Sequence, residues 1–249
     1  MMHSNCVAWH RADAGLAMSF SDSPDIRRFQ VYGQRCSGTN YLIRLIENNF
    51  GSAAFTESYG FKHWLVPHST VFPEDVMALV IVRDPGDWIH SLFRNPWHLR
   101  AELKGAPFRQ FIRNIWDSCW DEDFWQMDAS DTRYLQPIEE ERHPETGAAF
   151  ANPFAMRRAK LDNWTGLASR VPVMLVNYNY AARHPGKLLQ QISRVTGLKL
   201  PPVIAAVDSY KGERNEPFVP KEYATLSNSD QLFMLSQLDP RLERLAGCM

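Results

Sequence analysis

This sequence has few cysteines, no long apolar run and almost no net charge. Its 4 cysteines are scattered and form no C-x-x-C pair, which argues against a zinc ribbon or a disulfide framework and is typical of a reducing compartment. The longest unbroken apolar run, residues 76–82, is far too short to span a bilayer. The formal net charge of −1 creates no overall attraction to nucleic acid or to an anionic membrane, so any anion-binding site must be local.

The amino-terminal segment lacks the apolar h-region of a secretory signal, so we expect a cytoplasmic protein without a transmembrane segment. A chain of 249 residues, 45% of them hydrophobic, is enough for one sizeable domain with a buried core. Residues 1–27 are polar and aperiodic, and we expect them to form a poorly ordered arm. The domain is predicted to span residues 28–249.

A strand, a glycine-bounded loop and a helix are predicted in the stretch FQVYGQRCSGTNYLIRLI, residues 29–46. Gly33 and Gly38 bound the loop, and apolar residues at helical spacing follow it. The backbone N–H groups of such a loop and the positive end of the helix dipole together form an anion site. Arg35 adds a cation to this loop. Three further side chains add hydrogen-bond donors: Ser37, Thr39 and Asn40.

This loop lacks the lysine of a nucleoside-triphosphatase loop, which has the pattern G-x-x-x-x-G-K-[ST]. Thr39 stands at the lysine position, and Asn40 stands at the position of the magnesium-binding hydroxyl. Because an amide is a poor Mg²⁺ ligand beside a hydroxyl or a carboxylate, we expect the loop to bind phosphate without a metal.

A second polar constellation follows the most apolar strand. Residues 77–82 form a continuous apolar run, typical of a central parallel strand, and the run ends in Arg83-Asp84-Pro85. Asp84 is predicted to cap a helix that begins at Pro85 and carries Ser91, eight positions after Arg83. Guanidinium and hydroxyl can then bind one phosphate. The alternatives are a merely structural helix cap and a Walker B aspartate, and the cation of Arg83 at the metal position argues against the latter.

These two motifs resemble those of sulfotransferases that use 3′-phosphoadenosine 5′-phosphosulfate (PAPS). RCSGTNYL is similar to their 5′-phosphosulfate loop, and Arg83 with Ser91 is similar to their 3′-phosphate motif. The resemblance implies a P-loop-type α/β fold in which helices flank a central, mainly parallel sheet. It also implies PAPS as cofactor, adenosine 3′,5′-bisphosphate as product, and no metal. Tyr210-Lys211-Gly212 weakly resembles the basic R-K-G loop of the family, with tyrosine in place of the arginine. The implied cofactor-binding residues are Gly33, Arg35, Cys36, Ser37, Gly38, Thr39, Asn40, Arg83, Ser91, Lys211 and Gly212.

The catalytic base is predicted in residues 53–64, where a second strand is expected. Lys62 and His63 resemble a sulfotransferase segment at a strand end, in which the histidine takes the proton of the acceptor. An imidazole with a pKa near neutrality suits this role, and Lys62 would neutralise charge on the sulfuryl group. Adjacent strand residues point to opposite faces, so both serve one site only if the strand has ended or bulges there. Glu57 is the competing base, because some carbohydrate sulfotransferases use a glutamate in this region.

Residues of about 96–150 are predicted to form a helical insertion near the acceptor. Within it, residues 108–120 carry apolar side chains at three-four spacing, most often a core face, and residues 121–147 are interpreted as an insertion or lid. The helix predicted after it carries three basic side chains that are expected to be solvated: Arg157, Arg158 and Lys160.

We therefore expect a sulfotransferase that moves a sulfuryl group from PAPS to an acceptor hydroxyl by in-line transfer. A carbohydrate is the first expected acceptor and a small alcohol or phenol the second, and nucleic acid is not an expected partner. Two alternatives stay open. One is a P-loop kinase or nucleoside triphosphatase with a degenerate loop, and the other is a non-catalytic protein that binds a nucleotide or a sulfate ester.

Overall fold

The computed structural model describes residues 7–20, 25–209, 217, 219 and 221–249. A mixed, mostly parallel six-stranded sheet runs through it in the order β1-β2-β6-β5-β3-β4. Its strands are β1 (His10–Asp13), β2 (Leu16–Met18), β3 (Arg28–Tyr32), β4 (Phe55–Thr56), β5 (Val76–Val82) and β6 (Val173–Asn177). The four strands from β6 to β4 are parallel to one another, which confirms the predicted α/β class with a mainly parallel sheet.

Helices connect and cover these strands. They are α1 (Thr39–Phe50), α2 (Pro85–Arg94), α3 (Phe108–Phe111), α4 (Glu122–Trp125), α5 (Pro153–Gly166), α6 (Tyr178–Arg183), α7 (Pro185–Thr196), α8 (Asn228–Gln237) and α9 (Pro240–Leu245). The predicted cap is confirmed, because the Asp84 carboxylate accepts hydrogen bonds from the first turn of α2, where Pro85 supplies the preset φ angle. Among the described residues, no helix combines the length and the apolar character needed to cross a bilayer.

Strand β5 is the centre of the core, as the continuous apolar run predicted. All seven of its residues are buried, because helices cover both faces of the sheet at this strand. Apolar residues of α1 and α7 pack on one face of the sheet, and Trp164 of α5 packs on the other. The sheet is thereby a rigid support for the loops that follow β3 and β5.

The expectation of a poorly ordered arm is wrong for residues 10–18. Strand β2 pairs antiparallel with β6, and β1 pairs with β2, so this segment extends the sheet. Leu16, Ala17 and Met18 are buried. The hydrophobic pattern of three residues is too short to reveal a strand, and the unpaired edge of β6 supplies the hydrogen bonds that order the segment.

The expectation of a helical insertion is also wrong, although the core face within it is confirmed. Phe111, Ile112 and Trp116 are buried as the spacing predicted. However, the helix α3 ends after four residues, and the following backbone forms isolated antiparallel bridges, such as Trp116 with Phe150. These long-range hydrogen bonds replace those of a helix while the same apolar side chains stay inside.

The order of the strands creates a crevice at the carboxyl ends of β3 and β5. From β3 the chain moves outward to β4, and it then crosses back past β3 to β5 and onward to β6. In open α/β sheets, ligands bind where the direction of strand addition reverses in this way. The loop of residues 33–38 follows β3, and Arg83 follows β5, so both lie at this crevice.

Candidate anion-binding site at the carboxyl edge of the sheet

The loop of residues 33–38 turns its carbonyl groups toward the protein. Four successive carbonyls each accept a hydrogen bond from a side chain: Gly33 O from His63 Nδ1 (2.7 Å), Gln34 O from Ser37 Oγ (2.6 Å), Arg35 O from Trp88 Nε1 (2.9 Å) and Cys36 O from Arg83 Nη1 (3.3 Å). These four bonds fix the loop. The sequence analysis expected the Ser37 hydroxyl to donate to a ligand, but in the structure it donates to Gln34 O within the loop. Arg83 and Trp88 come from one segment, the end of β5 and the first turn of α2, and His63 comes from the turn of residues 61–64.

The N–H groups at the start of α1 are available for an anion. The amides of Cys36, Gly38, Thr39 and Asn40 find no acceptor among the described residues. Cys36 and Gly38 adopt left-handed conformations with φ of 66° and 97°, and no side chain caps the helix at Gly38. A left-handed residue beside a right-handed one directs successive backbone N–H groups into one concavity, where the helix dipole adds positive potential.

Both loop glycines are required by close contacts. A Cβ atom on Gly33 would lie 2.6 Å from the carbonyl oxygen of Ile81. A Cβ atom on Gly38 would lie 2.3 Å from the ring of Tyr178, the residue that follows β6. Tyr178 is a site residue that the sequence analysis did not assign, although its position at a strand end is a signal for one.

Arg35 points into the protein instead of lying open at the loop. Its Nη1 contacts both carboxylate oxygens of Glu141, at 2.5 and 2.6 Å, and only 3% of its side chain is exposed. Lys160 is also buried and pairs with the same carboxylate. Burial alone would raise the pKa of Glu141, but the two cations lower it well below its usual range. Arg35 Nε and Nη2 are buried and have no partner among the described residues, so two donors stay available.

The expectation that the basic residues of α5 are solvated is wrong for two of the three. Lys160 and Arg157 are fully buried, whereas Arg158 is exposed. Arg157 pairs with Glu243 of α9 and donates to the carbonyl of Arg83, so it supports the loop that follows β5. Glu141 and Glu243 gave no signal in the sequence, because a glutamate in a charged segment is ordinarily exposed.

Arg83 and Ser91 both contact Cys36 of the loop of residues 33–38. Arg83 donates to the carbonyl of Cys36, and Ser91 is hydrogen-bonded to the Cys36 thiol. Burial raises the pKa of that thiol, which therefore stays protonated at neutral pH. The Arg83 guanidinium lies between two aromatic rings, at 5.1 Å from that of Tyr178 and 5.3 Å from that of Tyr223, and its buried Nε has no partner among the described residues.

His63 lies beside the loop, but it is not at the end of a strand. Strand β4 ends at Thr56, and residues 61–64 form a turn. The backbone N–H of Gly33 donates to Lys62 O at 3.0 Å, and His63 Nδ1 donates to Gly33 O. Because Nδ1 carries the proton, Nε2 of the neutral ring is the acceptor. Since the strand has ended, the side chains of Lys62 and His63 are not forced to opposite faces of the sheet.

The environment of His63 keeps its imidazole neutral. Burial, followed by the charge of Arg35, lowers its pKa well below 6.5. Lys62 lies 3.8 Å from Glu57 and 4.7 Å from the ring centre of Phe61. Glu57 is more exposed, with 43% of its side chain accessible. Of the two predicted bases, His63 is therefore the one that is fixed to the phosphate loop.

Two further observations complete the site. Lys211 and Gly212 lie outside the described residues. A cavity of about 340 Å³ opens beside the loop that follows β5, between Asp84, Asn177 and Arg183, and residues 33–38 do not line it.

The chain matches no family model, no curated protein and no solved structure.

Proposed function

We propose that this chain is a P-loop-type sulfotransferase that uses PAPS. The observation that carries the proposal is the loop of residues 33–38, whose carbonyls are bonded to the protein while its N–H groups are left for an anion. The loop has no lysine after Gly38, where a nucleoside triphosphatase needs one. An imidazole that is a base at neutral pH lies one hydrogen bond away from Gly33.

The residues present fit PAPS on the evidence of their unsatisfied donors. The amides at the start of α1 suit the 5′-phosphosulfate. Arg83 and Ser91 suit the 3′-phosphate, and Arg83 has an unused Nε for it. PAPS would supply the sulfuryl group, whose bond to the 5′-phosphate breaks as the acceptor oxygen bonds to sulfur.

His63 would act as the general base in this transfer. Nε2 takes the acceptor proton, while the Nδ1–H bond to Gly33 holds the ring in the required tautomer. Lys62 and the loop amides offset negative charge that develops on the sulfuryl and leaving groups. The anionic 5′-phosphosulfate close to His63 would raise its pKa toward neutrality, which strengthens it as a base when the cofactor is bound.

Titration calorimetry tests the nucleotide preference. We expect adenosine 3′,5′-bisphosphate to bind more tightly than ATP, with or without Mg²⁺, because ATP has no 3′-phosphate for Arg83. Arg83→Ala should weaken bisphosphate binding by about 1.5–3 kcal/mol, the range for hydrogen bonds to charged groups. Arg158→Ala removes an exposed guanidinium and should leave the affinity unchanged.

Incubation with radiolabelled PAPS and a panel of glycans, phenols and alcohols tests the transfer itself. Label in an acceptor is the expected result. Tighter binding of Mg²⁺-ATP, with turnover, would instead favour a kinase or nucleoside triphosphatase. Tight bisphosphate binding with no transfer to any acceptor would favour a non-catalytic binding protein.

A further inference from the structure

Four aromatic side chains form a continuous group that begins at His63. The ring of Phe61 lies 5.2 Å from the imidazole of His63, 5.4 Å from the ring of Trp64 and 5.5 Å from that of Trp125. Trp120 lies 4.8 Å from Trp125 and 6.1 Å from Trp64. We call these four residues, Phe61, Trp64, Trp120 and Trp125, the aromatic platform. Two of them come from the turn before Val66, and two come from the insertion.

The aromatic platform is not part of the hydrophobic core. None of its four residues belongs to the three buried apolar clusters of the described chain or to the side chains that pack against them. All four are partly exposed. Four adjoining aromatic rings that each keep part of their surface accessible form a group of the kind that is enriched at binding sites.

Charged and polar groups border the platform on its inner side. The imidazole of His98 lies 5.3 Å from the ring of Trp125, so each of the two histidines contacts one ring of the platform. After burial, the charge of Arg35 is the main cause that lowers the pKa of both His63 and His98. Arg35 is 3% exposed, and its buried Nε and Nη2 have no partner among the described residues. A ligand on the platform would therefore lie beside a neutral imidazole that can accept a proton.

We propose that the aromatic platform binds the acceptor, and that the acceptor carries a ring with a flat apolar face and a hydroxyl at its edge. This proposal rests on the proposed sulfotransferase function. Stacking on Trp120 and Trp125 would hold the ring, and the hydroxyl would reach Nε2 of His63. The apolar face of a pyranose and the face of a phenol share this chemistry.

Tryptophan fluorescence and transfer kinetics test the proposal on the full chain. Cellobiose and 2-naphthol serve as the two ring probes, each titrated with and without saturating adenosine 3′,5′-bisphosphate and then offered as acceptor with radiolabelled PAPS. We expect Trp120→Ala and Trp125→Ala to raise the dissociation constant and KM of the effective probe about tenfold or more. Trp120→Phe keeps a ring and should lose less. Trp97→Ala, an exposed tryptophan outside the platform, is the matched control.

The outcomes separate this inference from the function on which it rests. Binding of cellobiose alone identifies a pyranose acceptor, and binding of 2-naphthol alone identifies a phenol. Every platform variant should bind adenosine 3′,5′-bisphosphate like the parent protein, which also shows that the variant is folded. If the bisphosphate binds but neither probe does, or if both alanine variants keep the parent KM, the platform is not the acceptor site. If the bisphosphate itself does not bind, the sulfotransferase proposal fails first.

Discussion

At the scale of the residue, one imidazole connects two segments of the site. His63 donates through Nδ1 to Gly33, whose own N–H donates to Lys62, so the first glycine of the loop is held by two hydrogen bonds to one turn. The sequence suggested a base with a pKa near neutrality. Burial and then Arg35 instead lower the pKa of His63 well below 6.5 in the protein without ligand.

Replacing the imidazole should therefore affect turnover more than cofactor affinity. We expect His63→Ala to reduce kcat by about 10²–10⁴-fold, the usual contribution of a general base. In the parent protein, the acid limb of kcat/KM should lie below pH 6.5, because activity is lost only when the ring is protonated, and the lowered pKa moves that event to lower pH. The His63→Ala profile should lack this limb.

Glu57→Gln is the matched comparison, measured with the same acceptor. A nearly inactive Glu57→Gln beside a fully active His63→Ala would show that the glutamate is the base. That pattern would also favour a carbohydrate acceptor.

At the scale of the element, a short turn of residues 139–141 stabilises the loop of residues 33–38. The 3₁₀ turn Glu139–Glu141 places one carboxylate between Arg35 of the loop and Lys160 of α5. The same turn accepts a hydrogen bond from the N–H of Leu65, close to His63 in the chain. Burial lowers the pKa of Lys160 to about 8 even with Glu141 beside it, so the cluster depends on this single anion.

Removal of that anion should be costly to stability. Glu141→Gln leaves the guanidinium of Arg35 buried without a counter-charge, and we expect the free energy of unfolding to fall by about 3–5 kcal/mol, as for other broken buried ion pairs. Loss of a proton from Lys160 would limit the damage. The midpoint and slope of urea denaturation measure the change.

Glu139→Gln is the control, since this neighbour in the same turn is exposed. Its effect should stay within about 0.5 kcal/mol. Equal effects of the two substitutions would contradict a specific role for the buried carboxylate.

At the scale of the whole molecule, two histidines with lowered pKa values, His63 and His98, make stability depend on pH. Burial and Arg35 lower the pKa of His98 as they do that of His63, while Asp121 and Glu141 act on His98 in the opposite direction. Both rings are neutral in the folded protein at pH 7, whereas both titrate near pH 6.5 when unfolded. Below pH 6.5 the unfolded chain binds more protons than the folded chain, so the free energy of unfolding decreases as the pH is lowered.

The free energy of unfolding should drop by about 2–4 kcal/mol between pH 7 and pH 5, because each of the two histidines contributes up to about 1.4 kcal/mol for each pH unit. Urea denaturation at half-unit steps of pH measures this slope. His98→Gln should reduce the slope even if it lowers stability at pH 7. His68→Gln, which changes an exposed histidine, should leave the slope unchanged. A parent protein equally stable at pH 7 and pH 5 would contradict the buried neutral state of both rings.

The sequence by itself determined strand β5, the start of α2 and the glycine-bounded loop of residues 33–38, because their signals are local. The apolar run of β5, the Asp84 cap before Pro85 and the two glycines around residues 34–37 each act within a few residues of chain, and each lies where it was predicted. Only the tertiary structure decided where the side chains of the site point. Arg35 and Glu141 are 106 residues apart, and no periodicity relates them. Their pairing, the strand at residues 16–18 and the surface position of the aromatic platform follow from how distant segments meet, and nothing in their local patterns encodes that meeting.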